Sequence, residues 1–278
     1  MTFHKAPQTY TGEVYLNVVD LERSVRFYKE IIGFRLLEET ETRAVLTADG
    51  RTPLLIVAQP ENVTPKEPRR TGLYHFALLL PKRADLGNII KHFIANKVQI
   101  GASDHKVSEA LYLSDPDGNG IEIYTDRKPS EWHWENGEVA MSTDPLDGES
   151  VVAESAGQSW AGLPAETVMG HVHLHVRNIA ETEKFYKALG FEIACNYPGA
   201  LFMSTGKYHH HLGLNIWNGE GASRPSTNSA GLAGYTLVYP NENELKSAVN
   251  RAGVEVESTE NGSSIEDPSG NRIFLRVE

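Results

Sequence analysis

The stretch HKVSEALYLSDPDGNGIE, residues 105–122, predicts a β-hairpin that carries reactive side chains. Its centre is dense in Asp, Pro, Gly and Asn, which favour turn dihedral angles, and a short apolar run lies on either side. Tyr112 lies on the incoming strand and Glu122 on the outgoing strand, so the hairpin would bring a phenol close to a carboxylate. The stretch therefore combines a predicted turn with a phenol and a carboxylate that can take part in a reaction.

The hairpin belongs to an internal repeat. SDPDGNGIEIY at 114–124 resembles EDPSGNRIFLR at 266–276, and GLYHFALLLPKRADL at 72–86 resembles GLAGYTLVYPNENEL at 231–245. Farther upstream in each half of the chain, residues 14–39 and residues 172–196 also resemble each other. Both contain a strand, an amphipathic helix with Phe-Tyr, and a Gly-Phe at the helix exit. In every unit the apolar periodicity changes from alternating to helical and back, which predicts a strand, a helix and then several short strands.

These repeats divide the chain into four modules. We refer to them as modules 1 to 4, at 8–60, 70–127, 166–218 and 228–278. The sequence predicts one domain over 8–127 and a second over 166–278. Between them, residues 128–165 are rich in Ser, Gly and acidic residues and are predicted to form an extended linker, since unstructured loops of that length are uncommon inside a compact domain.

Composition and charge restrict the class of protein. A formal net charge of -11 argues against nucleic acid or an anionic membrane as a partner. No apolar run approaches the roughly 18 residues that a membrane-spanning helix needs. Cys195 is the single cysteine and cannot form an internal disulfide, and the N-terminal residues do not have the pattern of a secretion leader. We therefore expect a globular protein of the cytoplasm.

The repeat, the Phe-Tyr helix and the Asp-Pro-Asp-Gly-Asn turn followed by Ile-Glu-Ile resemble the vicinal oxygen chelate superfamily, which includes glyoxalase I, fosfomycin-resistance proteins and extradiol dioxygenases. The resemblance covers nearly the whole chain outside the linker. It implies an α+β fold of four βαβββ modules, paired into two domains with curved mixed sheets around U-shaped clefts. It also implies a divalent metal inside a cleft.

The family's metal ligands come from the first strand of a module and from the Ile-Glu-Ile strand. By this resemblance the ligands are His75 and Glu122 of module 2 and His171 of module 3. Two imidazoles and one carboxylate with open positions suit Fe(II) and oxygen chemistry, so the predicted cofactor is Fe(II). Module 4 has Gly234 and Phe274 at the positions of His75 and Glu122, so it has lost its ligands there.

The remaining histidines leave alternatives open. His173 and His175 share a strand face with His171 and either line the cleft or are satisfied core residues, so they are not assigned as ligands. Glu13 of module 1 stands at the offset of His171, and a set of Glu13, His75 and Glu122 would result if modules 1 and 2 paired.

Residues 103–122 also resemble the signature of the extradiol dioxygenases, with one departure at Ser103. The resemblance implies that Tyr112 hydrogen-bonds a substrate oxygen and that His105 supports the site from its rim. The segment ALFMSTGKYHHHLGLNIW, 200–217, resembles the strand in which the second of two paired histidines is the acid-base catalyst, which points to His210. A fortuitous polar hairpin is the alternative for this run of three histidines.

The expected function is Fe(II)-dependent extradiol cleavage of a catechol by dioxygen to a 2-hydroxymuconic semialdehyde. The partners are then a small aromatic diol and dioxygen, with no nucleic acid and no membrane. Two alternatives remain: a glyoxalase-like isomerase or thiol transferase, and a non-catalytic resistance protein that binds small molecules. Several apolar residues either hold the ring or belong to the core: Phe76, Leu201, Phe202, Ile216 and Trp217.

The ligand positions also predict how the modules pair. Because module 4 lacks ligands, we expect module 2 to pack against module 3 around the iron, and modules 1 and 4 to form a metal-free second cleft. Exchange of modules between two chains of a homo-oligomer would satisfy the same ligands.

Overall fold

The computed structural model describes residues 3–278 and contains four βαβββ modules. Module 1 comprises β1 (Tyr10–Asn17), α1 (Leu21–Phe27), a π-helical turn (Tyr28–Ile32), β2 (Arg35–Glu39), β3 (Arg43–Thr47) and β4 (Pro53–Ala58). Module 2 comprises β5 (Gly72–Leu79), α2 (Arg83–Ala95), β6 (Gly101–Asp104), β7 (Ser108–Ser114) and β8 (Gly120–Asp126).

The second half repeats this order after the linker. The linker contains a 3-10 turn (Pro129–Glu131), β9 (Trp134–Glu135), β10 (Glu138–Val139) and α3 (Gly148–Glu154). Module 3 comprises β11 (Val168–His175), α4 (Ile179–Ala188), β12 (Glu192–Tyr197), β13 (Ala200–Ser204) and β14 (Leu212–Asn215). Module 4 comprises β15 (Gly231–Tyr239), α5 (Glu242–Ala252), β16 (Glu257–Thr259), β17 (Gly262–Glu266) and β18 (Arg272–Val277).

Short polar side chains begin three of the four module helices. Asp20 accepts a hydrogen bond from the backbone N–H of Arg23, and Asn178 accepts one from that of Glu181. Asn241 accepts from the first turn of α5 in the same way. Such caps satisfy backbone donors that have no partner inside the helix. The helical segment of module 1 ends at Gly33, whose φ of 92° is readily adopted only by glycine.

The strands form two mixed eight-stranded sheets. The first sheet has the order β12-β13-β14-β11-β5-β8-β7-β6 and thus joins module 3 to module 2. The second has the order β16-β17-β18-β15-β1-β4-β3-β2 and joins module 4 to module 1. At each junction the first strands of two modules run antiparallel, β5 with β11 and β1 with β15. The predicted fold class is confirmed.

The linker is more ordered than an extended connection. Helix α3 packs closely on α2, where Gly87 lies against the backbone of Val151 and leaves no room for a side chain. Lys91 donates hydrogen bonds to the carbonyl oxygens of Ser155 and Gln158, at 2.9 and 3.0 Å. Farther upstream, the linker pairs with β6 through the backbones of Asp104 and Asp144. Residues that we predicted to form an extended linker thus pack against module 2.

Strand alternation separates the core from the cleft. On β8, Ile121 and Ile123 are fully buried in the core shared with the helices, so Glu122 points to the other face. The β7–β8 turn is held by Asp115, which accepts hydrogen bonds from the backbone N–H groups of Asp117 and Asn119. The strand alternation and the hairpin turn together fix the position and direction of the Glu122 side chain.

Candidate metal centre

The predicted ligands lie on three adjacent strands of the first sheet. His171 is on β11, His75 on β5 and Glu122 on β8, and these strands are neighbours in that order. One ligand atom from each residue lies within 4.8 Å of those of the other two. In the described residues 3–278 this is the only such group of three or more His, Cys, Asp or Glu residues.

The three side chains converge on one point. The Nε2 atoms of His75 and His171 are 3.3 Å apart, and they lie 2.9 and 3.1 Å from the same Oε2 atom of Glu122. Their residues are only 1 to 6% exposed. Two imidazole nitrogens and one carboxylate oxygen therefore face each other in a site that is nearly closed to water.

The electrostatic environment favours the metal-binding forms of these groups. Burial lowers the pKa of His171 to about 4, so this imidazole is neutral at neutral pH. Burial alone would raise the pKa of Glu122, but the adjacent His171 and His75 outweigh it and hold that pKa well below its usual range. A neutral imidazole and an ionised carboxylate are the forms in which these residues bind a cation.

The residues present fit a divalent cation. A ligand set of two imidazoles and one carboxylate is typical of non-haem Fe(II) sites that keep positions open for substrates. The Nδ1 atom of His171 is buried and has no protein hydrogen-bond partner among the described residues, so the protein does not fix the ring through that atom. A cation held at Nε2 would supply such a restraint.

Tyr112 and His105 form a hydrogen-bonded pair beside the three predicted ligands. The Tyr112 hydroxyl lies 2.6 Å from Nε2 of His105, whose Nδ1 lies 2.6 Å from the carbonyl oxygen of Ser142. Because that carbonyl can only accept, Nδ1 of His105 donates and Nε2 accepts from Tyr112. The Tyr112 ring is 5.7 Å from that of His75. Burial, reinforced by Glu122, raises the pKa of Tyr112 well above its usual value, so it remains a phenol.

His210 lies on the other side of the ligand group. Its ring centroid is 4.1 Å from that of His171 and 4.9 Å from that of Phe202. Burial and the surrounding histidines lower the pKa of His210 well below its usual value, so the ring is neutral. The structure thus brings together all six residues that the sequence singled out.

The chain matches the Glyoxalase/Bleomycin resistance protein/Dioxygenase superfamily over residues 10–123 and 168–275. It belongs to this superfamily. Catechol-2,3-dioxygenase of Bacillus subtilis is 47% identical over 268 residues, which cover 94% of each chain. This similarity over nearly the full length of both chains makes the protein an enzyme of the dioxygenase type.

Other members of the superfamily match less extensively. The metallothiol transferase FosB of Staphylococcus epidermidis is 31% identical over 120 residues, which cover 42% of this chain and 82% of that protein. The crystal structure of glyoxalase I from Zea mays has a TM-score of 0.58 at 17% identity and covers 96% of this chain and 92% of that one. This second likeness concerns the fold alone.

The second sheet lacks the superfamily's ligand arrangement. Glu13 lies on β1, where it accepts hydrogen bonds from Tyr15 at 2.6 Å and Thr236 at 3.1 Å. A side chain at Gly234 would collide with the ring of Phe274, which packs at 4.6 Å against Tyr15. The Tyr15–Phe274 pair thus occupies the face of the second sheet that corresponds to the histidine-bearing face of the first sheet. Glu13 is on a different sheet from His75 and Glu122.

A large cavity lies over this second sheet and away from the three predicted ligands. Its volume is about 1220 Å³, and its lining includes Tyr15, Arg43, Ile56, Arg272 and Phe274. None of the three predicted ligands lines it. Cavity size alone does not indicate catalysis, so its volume is no reason to place a reaction there.

Several residues around the metal site were not found from the sequence. Ser142, in the linker, positions His105 through its carbonyl oxygen, a role that leaves no sequence signal. Tyr74 contacts the rings of His173 and Trp217, both at about 5 Å. Strict alternation on β5 would place Tyr74 on the opposite side of the strand from His75, but a register shift in the β5–β11 pairing at this point brings its ring towards His173.

The five apolar residues expected near the ring divide into two groups. Phe76 and Leu201 belong to the main core, and Ile216 packs against it. Phe202 and Trp217 instead contact His173 at the cleft, with ring centroids 5.5 and 5.3 Å away. His175 is held by Asn215.

None of the helices described within residues 3–278 has the length and apolar character needed to cross a membrane.

Proposed function

We propose that this protein catalyses the Fe(II)-dependent extradiol cleavage of a catechol by dioxygen to a 2-hydroxymuconic semialdehyde, in a cleft between modules 2 and 3. The observation that carries the proposal is the ligand group His75, Glu122 and His171, flanked by a neutral tyrosine and a neutral histidine. Support also comes from the similarity to a catechol-2,3-dioxygenase over 94% of the chain.

Each side chain has a role that follows from its position. His75, Glu122 and His171 would hold the cation. Fe(II), when bound, would hold the diol and dioxygen next to each other and carry electron density between them. Tyr112 would donate a hydrogen bond to a substrate oxygen by turning its hydroxyl away from Nε2 of His105, which accepts it at 2.6 Å in this structure.

His210 would transfer protons. A neutral imidazole carries one basic nitrogen, which can take a proton from a substrate hydroxyl and return it later in the reaction. Because His210 is 6% exposed, bulk water does not compete strongly for that nitrogen. The aromatic rings of Phe202 and Trp217 both contact His173 and would contact the substrate ring.

The proposal is tested with protein purified without air and loaded with Fe(II). We expect catechol to be converted to a yellow product, with one dioxygen consumed per ring opened. The same preparation is offered a glutathione hemithioacetal and, separately, an epoxide with a thiol. Turnover of either, with no product from catechol, would contradict ring cleavage and favour the isomerase or transferase alternative. Metal-loaded protein that turns over none of the substrates would favour a binding protein.

A further inference from the structure

His209 connects His210 to a carboxylate on the strand that carries a predicted metal ligand. Its Nδ1 lies 2.8 Å from Nδ1 of His210, and its Nε2 lies 2.8 Å from Oδ1 of Asp126. Asp126 is on β8, four residues after Glu122, and therefore on the same face of that strand. The His209 imidazole thus links the segment between β13 and β14 to β8.

These contacts determine which ring nitrogens carry hydrogen. An ionised carboxylate can only accept, so Nε2 of His209 donates to Asp126. In the His209 tautomer that donates from Nε2, the Nδ1 atom carries no hydrogen and can only accept. In the hydrogen bond between the two rings, Nδ1 of His210 is therefore the donor and carries the hydrogen. The other ring nitrogen of His210, Nε2, is left with a free lone pair.

The surroundings hold His209 in this orientation. Its ring packs against Tyr208 and Trp132, with centroids 4.0 and 5.2 Å away, and it is fully buried. The Tyr208 hydroxyl donates to the same Oδ1 of Asp126 at 3.2 Å and lies 2.7 Å from the hydroxyl of Tyr124. A packed ring with both nitrogens engaged has little freedom to turn over.

We propose that Asp126 and His209 are positioning residues that hold His210 in the Nδ1-protonated tautomer, so that Nε2 is the basic atom available to the substrate. The catalytic consequence rests on the proposed function, whereas the tautomer itself does not. A purely structural role, in which the contacts only satisfy buried polar atoms, would leave the tautomer of His210 independent of His209.

The first test measures the tautomer in metal-free protein by long-range ¹H–¹⁵N NMR at neutral pH. We expect His210 to carry its hydrogen on Nδ1 in the unaltered protein. His209→Asn keeps an acceptor near the position of Nδ1 and should preserve this tautomer of His210. His209→Ala removes the acceptor and should allow His210 to adopt the Nε2-protonated tautomer. His210 protonated on Nε2 in the unaltered protein, or an unchanged tautomer in His209→Ala, would overturn the proposal.

The second test measures turnover in the iron-loaded enzyme. His209→Ala should lower kcat on the order of 10²-fold with bound iron and KM little changed, since it disturbs a proton-transfer group rather than binding. His209→Asn should recover most of that loss. An Asn variant as impaired as the Ala variant, with equal iron, would contradict the acceptor role.

His211→Asn is the matched control. His211 is also fully buried and adjacent in sequence, but its partners are the carbonyl oxygen of Phe3 and the backbone N–H of Thr205. We expect it to leave the His210 tautomer and kcat close to those of the unaltered protein. If the unaltered enzyme cleaves no catechol, the proposed function fails, and the NMR measurement still decides whether His209 sets the tautomer.

Discussion

His75 and His171 bring their Nε2 atoms to within 3.3 Å of each other, although they stand 96 positions apart in the chain. The contact crosses the junction between β5 and β11, where module 2 meets module 3 in one sheet. A single chain thus gathers the ligand group from both sides of its linker.

Removal of any predicted ligand should release the metal. We expect His75→Ala, His171→Ala and Glu122→Ala each to weaken iron binding by more than about 100-fold, because loss of an outer partner of a ligand already costs about 10- to 100-fold. The chain should remain folded, since the main apolar core contains residues of both sheets and none of the three ligands. Metal analysis after anaerobic loading, together with circular dichroism, checks both expectations.

His175→Ala serves as the control for that series. His175 is on the same strand as His171 but binds Asn215 and lies outside the ligand group. It should retain iron. Full iron occupancy in His171→Ala would remove module 3 from the site.

Two variants should separate catalysis from metal binding. His210→Ala and Tyr112→Phe remove a proton-transfer group and a hydrogen-bond donor but no ligand, so iron content should be unchanged. Turnover should fall on the order of 10² to 10⁴-fold in each. A His210→Ala enzyme with an unaltered rate at neutral pH would show that another group transfers the proton.

Splitting the chain should abolish activity. Residues 1–130 contain His75 and Glu122, and residues 160–278 contain His171 and His210. We expect each fragment alone to be inactive and to bind iron poorly, and co-expression to restore some turnover through the β5–β11 junction. Tight iron binding by the first fragment alone would contradict a site shared across the linker.

The buried turn of the β7–β8 hairpin should contribute to stability. The Tyr28 hydroxyl donates a hydrogen bond of 2.8 Å to Asp115, and both residues are buried. Tyr28→Phe leaves a buried carboxylate oxygen with one partner fewer, so the free energy of unfolding should fall by about 1–3 kcal/mol. Urea denaturation measures the change. Tyr197→Phe, at a position that is 40% exposed, should have little effect, and an equal loss there would refute the explanation.

The metal-free protein should lose stability in mild acid. Burial lowers the pKa of His4 and of His175 to about 4, against 6.5 in the unfolded chain. As pH falls from about 6.5 towards 4, the unfolded state takes up protons that the folded state does not, so the folded state is progressively disfavoured. For His4 alone the effect is on the order of 3 kcal/mol. Urea midpoints measured at pH 7.5 and 4.5 should differ, and His4→Gln should reduce that difference.

Much of the fold is a local property of the chain and could be predicted. Alternating and helical apolar periods identified the strands and helices of each module, and the Asp-Pro-x-Gly-Asn turns recur because Asp115 and Asp267 each bind the backbone of their own turn. Residue types at repeated positions likewise pointed to His75 and Glu122.

The sequence by itself determined the four modules, the face of each strand on which a side chain lies, and the residues capable of binding metal. The ligand positions also predicted that modules 2 and 3 pair, but only the tertiary structure decided that they join antiparallel through β5 and β11. It likewise decided that Ser142 supports His105 and that Asp126 reaches His209. The physical reason is that periodicity and turn chemistry act over a few residues. Contacts between distant segments depend on how complete modules pack, which no short stretch of sequence encodes.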